Sequence, residues 1–118
     1  MNILFVCSKN LSRSPTAEMI YKDHSGLNVK SAGTEPSSGN KYVGSEQYTA
    51  TEITAEDINW SDLIFAMEEK HKQAMVKKFP SEIEQKKIIV LDIQDKFKFM
   101  DEELIEEIKI KVSKHIVT

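Results

Sequence analysis

This chain has one cysteine, one arginine and one tryptophan in 118 residues, with three prolines and four glycines. A single thiol excludes a disulfide within the chain and makes a zinc site improbable, and a lone reactive thiol suits a reducing compartment, so the cytoplasm is the expected location. His24, His71 and His115 share no metal-ligand spacing, and neither metal nor cofactor is expected. The four glycines form no nucleotide-binding fingerprint. No apolar run approaches the ~20 residues of a membrane span, and the start, Met1-Asn2-Ile3-Leu4-Phe5-Val6, lacks the basic segment and cleavage site of a signal peptide. A net charge of −3 gives no broad attraction to nucleic acid or an anionic membrane. Lys86-Lys87 is too short to be a basic patch. With 40% apolar and 30% charged residues, the chain is expected to be one domain spanning 1–118.

The lone cysteine and the lone arginine stand together, six residues apart, in Val6-Cys7-Ser8-Lys9-Asn10-Leu11-Ser12-Arg13-Ser14-Pro15. The chain's general-purpose cation is lysine, so an arginine here points to work lysine does poorly: a planar guanidinium holds two oxygens of one phosphate, whereas an ammonium is a point charge. Ile3-Leu4-Phe5-Val6 reads as a buried parallel strand. Ser14-Pro15 reads as a helix start, with Ser14 as N-cap and Pro15 at the first helical position. The Cys7–Arg13 loop then joins a strand's carboxyl end to a helix amino terminus, where unpaired amides and the helix dipole bind anions. The same field favours thiolate over thiol, so Cys7 reads as a nucleophile and Arg13 as its phosphate clamp.

The remaining pattern alternates strand and helix. A first helix is expected over 15–24, ended by Ser25-Gly26, and a second strand over 27–32. Residues 33–44 read as loop, and 46–59 are ambiguous, with Thr54-Ala55-Glu56-Asp57 able to open a short helix. Strand three spans 63–67. A charged helix follows over 68–79, stopped by Pro80, then strand four over 88–91 and a last helix over 101–115. In that last helix Leu104, Ile108, Val112 and Ile116 recur every fourth residue as one apolar stripe. These units predict a three-layer α/β fold with a four-stranded parallel sheet covered by helices on both faces. Ligands of such sheets lie beyond the carboxyl ends of the strands. The segment after strand four carries Asp92 and Asp95, either of which suits a general acid that protonates a leaving group. Glu68-Glu69-Lys70-His71-Lys72 reads as a solvated helix face, and Trp60 as core or rim.

Cys7-x5-Arg13-Ser14-Pro15, directly after an amino-terminal strand, resembles the low-molecular-weight protein tyrosine phosphatases, whose fold the arsenate reductases share; the resemblance implies the strand order 2-1-3-4 for the sheet. Ser31-Ala32-Gly33-Thr34, Glu52-Ile53-Thr54-Ala55-Glu56-Asp57 and Asp62-Leu63-Ile64-Phe65-Ala66-Met67 carry the similarity on. The resemblance implies a metal-independent phosphomonoesterase acting on a phosphotyrosine-bearing protein or a small phosphomonoester through a phosphocysteine on Cys7. It assigns Ser8, Lys9, Asn10, Leu11, Ser12 and Arg13 to the phosphate loop, Ser14 to the thiolate, Asn10 and Ser31 to bracing the loop, and Asp95, with Asp92 as alternative, to acid catalysis. Four features depart from the family pattern, the first being that this chain has no Asp-Pro pair, which the family uses for its general acid. Lys9 stands where glycine is usual, which implies strain there if the backbone is unusual. Ser12 replaces a second loop cysteine, and Tyr48 replaces a bracing histidine. Phe97, Tyr42 and Tyr48 are candidates for an aromatic wall. Two further readings stay open: a non-catalytic phosphate-binding relative, and a glutathione-coupled arsenate reductase.

Overall fold

The computed structural model of the chain describes residues 1–35, 40–43 and 46–116, with backbone alone for 40–43 and 46. In chain order the elements are β1 (Asn2–Cys7), α1 (Arg13–Tyr21), β2 (Asn28–Gly33), β3 (Asn40–Val43), β4 (Glu46–Thr49) and α2 (Ala55–Trp60). They continue with β5 (Leu63–Ala66), α3 (Glu69–Lys78), α4 (Pro80–Ile83), β6 (Lys87–Val90) and α5 (Glu102–Val112).

Four strands form a parallel sheet in the order β2-β1-β5-β6. Among the sheet's own strands this is the expected order. The higher numbers arise because β3 and β4 pair antiparallel as a separate two-stranded sheet. Loop and ambiguous chain are what the sequence predicts there, because these short polar strands carry no clear period-two apolar pattern.

Strand alternation sorts the core into two layers. Ile3, Phe5 and Cys7 face one side, against Ala17 and Tyr21 of α1 and the Leu104, Ile108, Val112 stripe of α5. Leu4 and Val6 face the other, against Ile58 of α2, Met75 of α3 and Ile83 of α4. The α5 stripe is fully buried, so truncating Leu104 to alanine costs about 2–5 kcal/mol. Thr54 caps α2 by accepting from the Asp57 backbone N–H at 3.2 Å, as its sequence indicates. Pro80, expected only to stop a helix, instead opens α4 at its first position, where a missing N–H costs nothing.

One cap differs in a way that matters. The N-cap of α1 is Ser12, without a side-chain cap bond, and Ser14 lies inside the helix. The loop closes so tightly that Arg13 already has helical backbone, which frees the Ser14 hydroxyl to face Cys7 rather than cap the helix.

Candidate active site

The loop from Cys7 to Arg13 runs between the end of β1 and the start of α1, so its chemistry is set by contiguous sequence. Backbone N–H groups of Lys9, Asn10, Leu11 and Ser12 have no acceptor among the described residues. The loop turns through Asn10, whose φ of 59° is left-handed, a conformation asparagine tolerates better than most residues. The condition for strain at Lys9 is therefore not met: Lys9 takes no left-handed backbone, and the turn falls one residue later. Gly33 of β2 lies against this loop, where a Cβ would sit 2.5 Å from the Ser8 carbonyl oxygen. Only glycine allows that approach.

Asn10 is fully buried and braces the loop. Its amide nitrogen donates to Ser14 Oγ at 2.8 Å and to Ser31 Oγ at 2.9 Å. Its Oδ1 accepts from the Thr51 backbone N–H at 3.0 Å, and the Tyr48 hydroxyl oxygen lies 3.3 Å from it. Tyr48 OH also meets Ser31 Oγ and donates to Glu18 at 2.9 Å. Burial, and then the Glu18 charge, hold the Tyr48 phenol well above the usual tyrosine range, so it stays protonated as a donor. Tyr48 thus stands in the bracing network, where its ring is buried, and it is not an aromatic wall.

Cys7 is 3% exposed, and its Sγ lies 2.9 Å from Ser14 Oγ. One lone pair of that oxygen is taken by the Asn10 amide. The nearer acceptor for the Ser14 proton is then Cys7, against Ala32 O at 3.5 Å. Donation to sulfur stabilises a thiolate.

Arg13 is 1% exposed. Its Nη1 donates to Glu68 Oε2 at 2.5 Å and to Ile93 O at 2.7 Å. Its Nε has no hydrogen-bond partner among the described residues. A buried guanidinium N–H without a partner is costly unless an anion fills the place. The Arg13 hydrogen bond holds the Glu68 carboxyl below the usual carboxylate range, so the pair stays charged.

Cys7, Ser8, Lys9, Leu11, Ser12 and Arg13 line one cleft of about 330 Å³, joined by Glu35, Lys70 and Asp95. The two candidate acids separate here. Asp95 Oδ1 is 3.8 Å from Arg13 Nε and the side chain is largely exposed at the cleft. Asp92 has a left-handed backbone, with φ 57°. It lines a different hollow with Val90, Leu91, Lys111, Lys114 and His115, and its carbonyl accepts from Lys111 Nζ at 2.9 Å. Phe97 is likewise not a cleft wall: it packs against the core layer of α1 and α5, with Lys96 Nζ 5.3 Å from its ring centre. The Tyr42 side chain lies outside the described residues.

The run 68–72 is where the sequence reading needs correction. His71 is 1% exposed rather than solvated. Its Nδ1 accepts from the Glu68 backbone N–H at 3.0 Å, and its Nε2 lies 2.8 Å from Ser8 Oγ. Burial first, and then the Arg13 charge, lower its pKa from the ordinary 6.5 to about 4. Glu68, His71 and Lys70 were missed because composition made the run look like a solvent face. A positional signal existed: these residues directly follow β5, at the carboxyl edge where such sheets bind ligands.

A cysteine and an arginine thus share one strand–loop–helix turn with unpartnered amides, at the carboxyl edge of a parallel α/β sheet, an arrangement suited to a tetrahedral oxyanion. The family model described as low molecular weight phosphotyrosine protein phosphatase matches residues 2–106, and the chain belongs to that family. It is 33% identical over 91 residues to a protein-arginine-phosphatase of Geobacillus stearothermophilus, a match spanning 66% of this chain and 62% of that protein. It is also 33% identical over 95 residues to a protein-arginine-phosphatase of Bacillus subtilis strain 168, spanning 67% and 63%. The match thus spans less than two thirds of the length of these curated relatives. The fold is similar to the crystal structure of the low-molecular-weight protein tyrosine phosphatase of T. tengcongensis, with a TM-score of 0.77, 26% identity, and 98% and 99% of the two chains covered.

Proposed function

We propose that this protein hydrolyses protein phosphotyrosine in two steps on Cys7, with Asp95 as general acid and then base. The observation that carries this is the meeting, on one cleft, of a cysteine sulfur 2.9 Å from a hydroxyl donor and a buried arginine whose Nε has no hydrogen-bond partner among the described residues. In the first step the phosphate lies over the amides of residues 8–13, with Arg13 holding two of its oxygens. The Cys7 thiolate attacks phosphorus, forming a P–S bond as the P–O ester bond breaks, and Asp95 gives its proton to the departing oxygen. In the second, water attacks phosphorus, the P–S bond breaks, and Asp95 takes the water's proton. Ser14 stabilises the thiolate that leaves. No step calls on a metal.

The choice of tyrosine rests on Leu11, a loop side chain that lines the cleft. An aliphatic wall packs against an aromatic ring and offers no acceptor to a guanidinium. A second reading, phosphoarginine, is favoured by the protein-arginine-phosphatase relatives. It is also favoured by Glu35 and Asp95, carboxylates on the cleft that suit a guanidinium. The test is turnover of p-nitrophenyl phosphate, a phosphotyrosyl peptide and a phosphoarginyl peptide by the reduced protein with EDTA, beside Cys7→Ser. Phosphotyrosine turnover by the parent alone supports the proposal. Preference for phosphoarginine replaces it with the second reading, and turnover by Cys7→Ser refutes the phosphocysteine route.

A further inference from the structure

Ser8 directly follows the nucleophile and lines the same cleft. Its Oγ has one side-chain hydrogen-bond partner among the described residues, His71 Nε2 at 2.8 Å. Which atom donates follows from the other side of the ring. His71 Nδ1 accepts the Glu68 backbone N–H at 3.0 Å, so Nδ1 carries no proton. A neutral imidazole then bears its proton on Nε2, and that N–H donates to Ser8 Oγ. The serine oxygen is used as an acceptor, and its own hydroxyl proton must go elsewhere.

We propose that His71 is a positioning residue for the phosphate loop: by donating to Ser8 Oγ it turns the Ser8 O–H into a fixed donor toward the bound phosphate oxygens. A serine left to itself would rotate its proton among several acceptors. Here the histidine is locked by a backbone donor on one side and spends its one proton on the serine. The ring is buried, between Glu68 and Ser8, so it does not exchange these partners with solvent. The lowered pKa agrees with a ring that stays neutral. The same short segment therefore supports both ends of the loop, Glu68 at Arg13 and His71 at Ser8.

This inference rests on a phosphate seating between Cys7 and Arg13, and the experiment separates the two. The probe is orthovanadate as a competitive inhibitor of p-nitrophenyl phosphate turnover by the parent, Ser8→Ala, His71→Phe and the double variant. Ser8→Ala is expected to raise the vanadate inhibition constant about tenfold, the worth of one hydrogen bond to a charged group. His71→Phe is expected to raise it by a similar factor, and to add nothing in the Ser8→Ala background. A His71→Phe penalty that persists in full without Ser8 means a merely structural role and overturns the proposal. So does a Ser8→Ala variant that binds vanadate like the parent. Long-range ¹H–¹⁵N spectra of the parent's ring nitrogens give a readout needing no variant: Nε2 protonated and Nδ1 bare is expected, and the reverse sinks the idea. A parent that neither turns over substrate nor binds vanadate refutes the proposed function as well.

Discussion

Glu68 donates its backbone N–H to His71 Nδ1 at 3.0 Å, and the two side chains then reach opposite ends of one loop: Glu68 to Arg13 at 2.5 Å, His71 to Ser8 at 2.8 Å. The Cys7–Arg13 loop is thus held by a segment more than fifty residues away in sequence. Arg13 is pre-aligned by this contact, so the proposed clamping of a phosphate would cost little side-chain freedom.

Arg13→Lys is expected to lower kcat/KM by about 100-fold or more, because one ammonium cannot serve Glu68, the Ile93 carbonyl and two phosphate oxygens together. Cys7→Ser is expected to abolish turnover while phosphate still binds. Steady-state kinetics and competitive binding of inorganic phosphate check both. An Arg13→Lys enzyme with near-parental kcat/KM contradicts the clamp.

Asp95→Asn is expected to slow substrates with poor leaving groups by roughly 10²–10⁴-fold and activated aryl phosphates far less, since only the former need the proton. Asp92→Asn is expected to leave both near normal, its side chain lining another hollow. A comparison of leaving-group dependence across the two variants decides; the pattern appearing in Asp92→Asn reverses the assignment.

Gly33→Ala places a methyl group 2.5 Å from the Ser8 carbonyl oxygen and 2.9 Å from the Lys9 carbonyl carbon, both backbone atoms. The loop must shift, and near-attack geometry is lost with displacements of about 1 Å, at a cost of roughly 100-fold. The expected result is a folded protein with much reduced kcat/KM; unimpaired kinetics in a folded Gly33→Ala protein rule out the close approach.

His71 is neutral in the fold, with its pKa lowered from 6.5 to about 4, whereas the unfolded chain takes a proton near 6.5. The sign follows: stability from this group is full above pH 6.5 and falls as pH drops toward 4, by about 3 kcal/mol at the acid end. Urea unfolding at pH 7 and pH 4.5 is expected to show a smaller acid loss for His71→Phe than for the parent, by about 2–3 kcal/mol. Equal acid losses in the two proteins exclude a buried neutral histidine.

Much of this was open to reading along the chain. The run Asn2–Cys7 is apolar enough to be a covered strand, and the spacing of Cys7 and Arg13 put both on one strand–loop–helix turn. The four-residue stripe of α5 marked the helix and its buried face. Each of these is local: the residues that make the pattern also make the structure. The hairpin of β3 and β4 was harder, because two short polar strands owe their form to each other rather than to an apolar face. Ser12, not Ser14, caps α1 because loop closure, rather than cap propensity, decides where the helix begins.

What the sequence alone determined about this protein is its sheet class, and a thiol and a guanidinium on one strand–loop–helix turn. Local apolar periodicity and turn chemistry suffice for these. Only the tertiary structure decided that Asp95 rather than Asp92 reaches the cleft, and that Tyr48 braces the loop instead of lining that cleft. It also decided that a histidine in a charged run is buried against Ser8. The physical reason is register. Parallel pairing of β1 with β5, Phe5 beside Phe65, brings the ends of strands sixty residues apart to one edge, and composition carries no record of which side chains meet there.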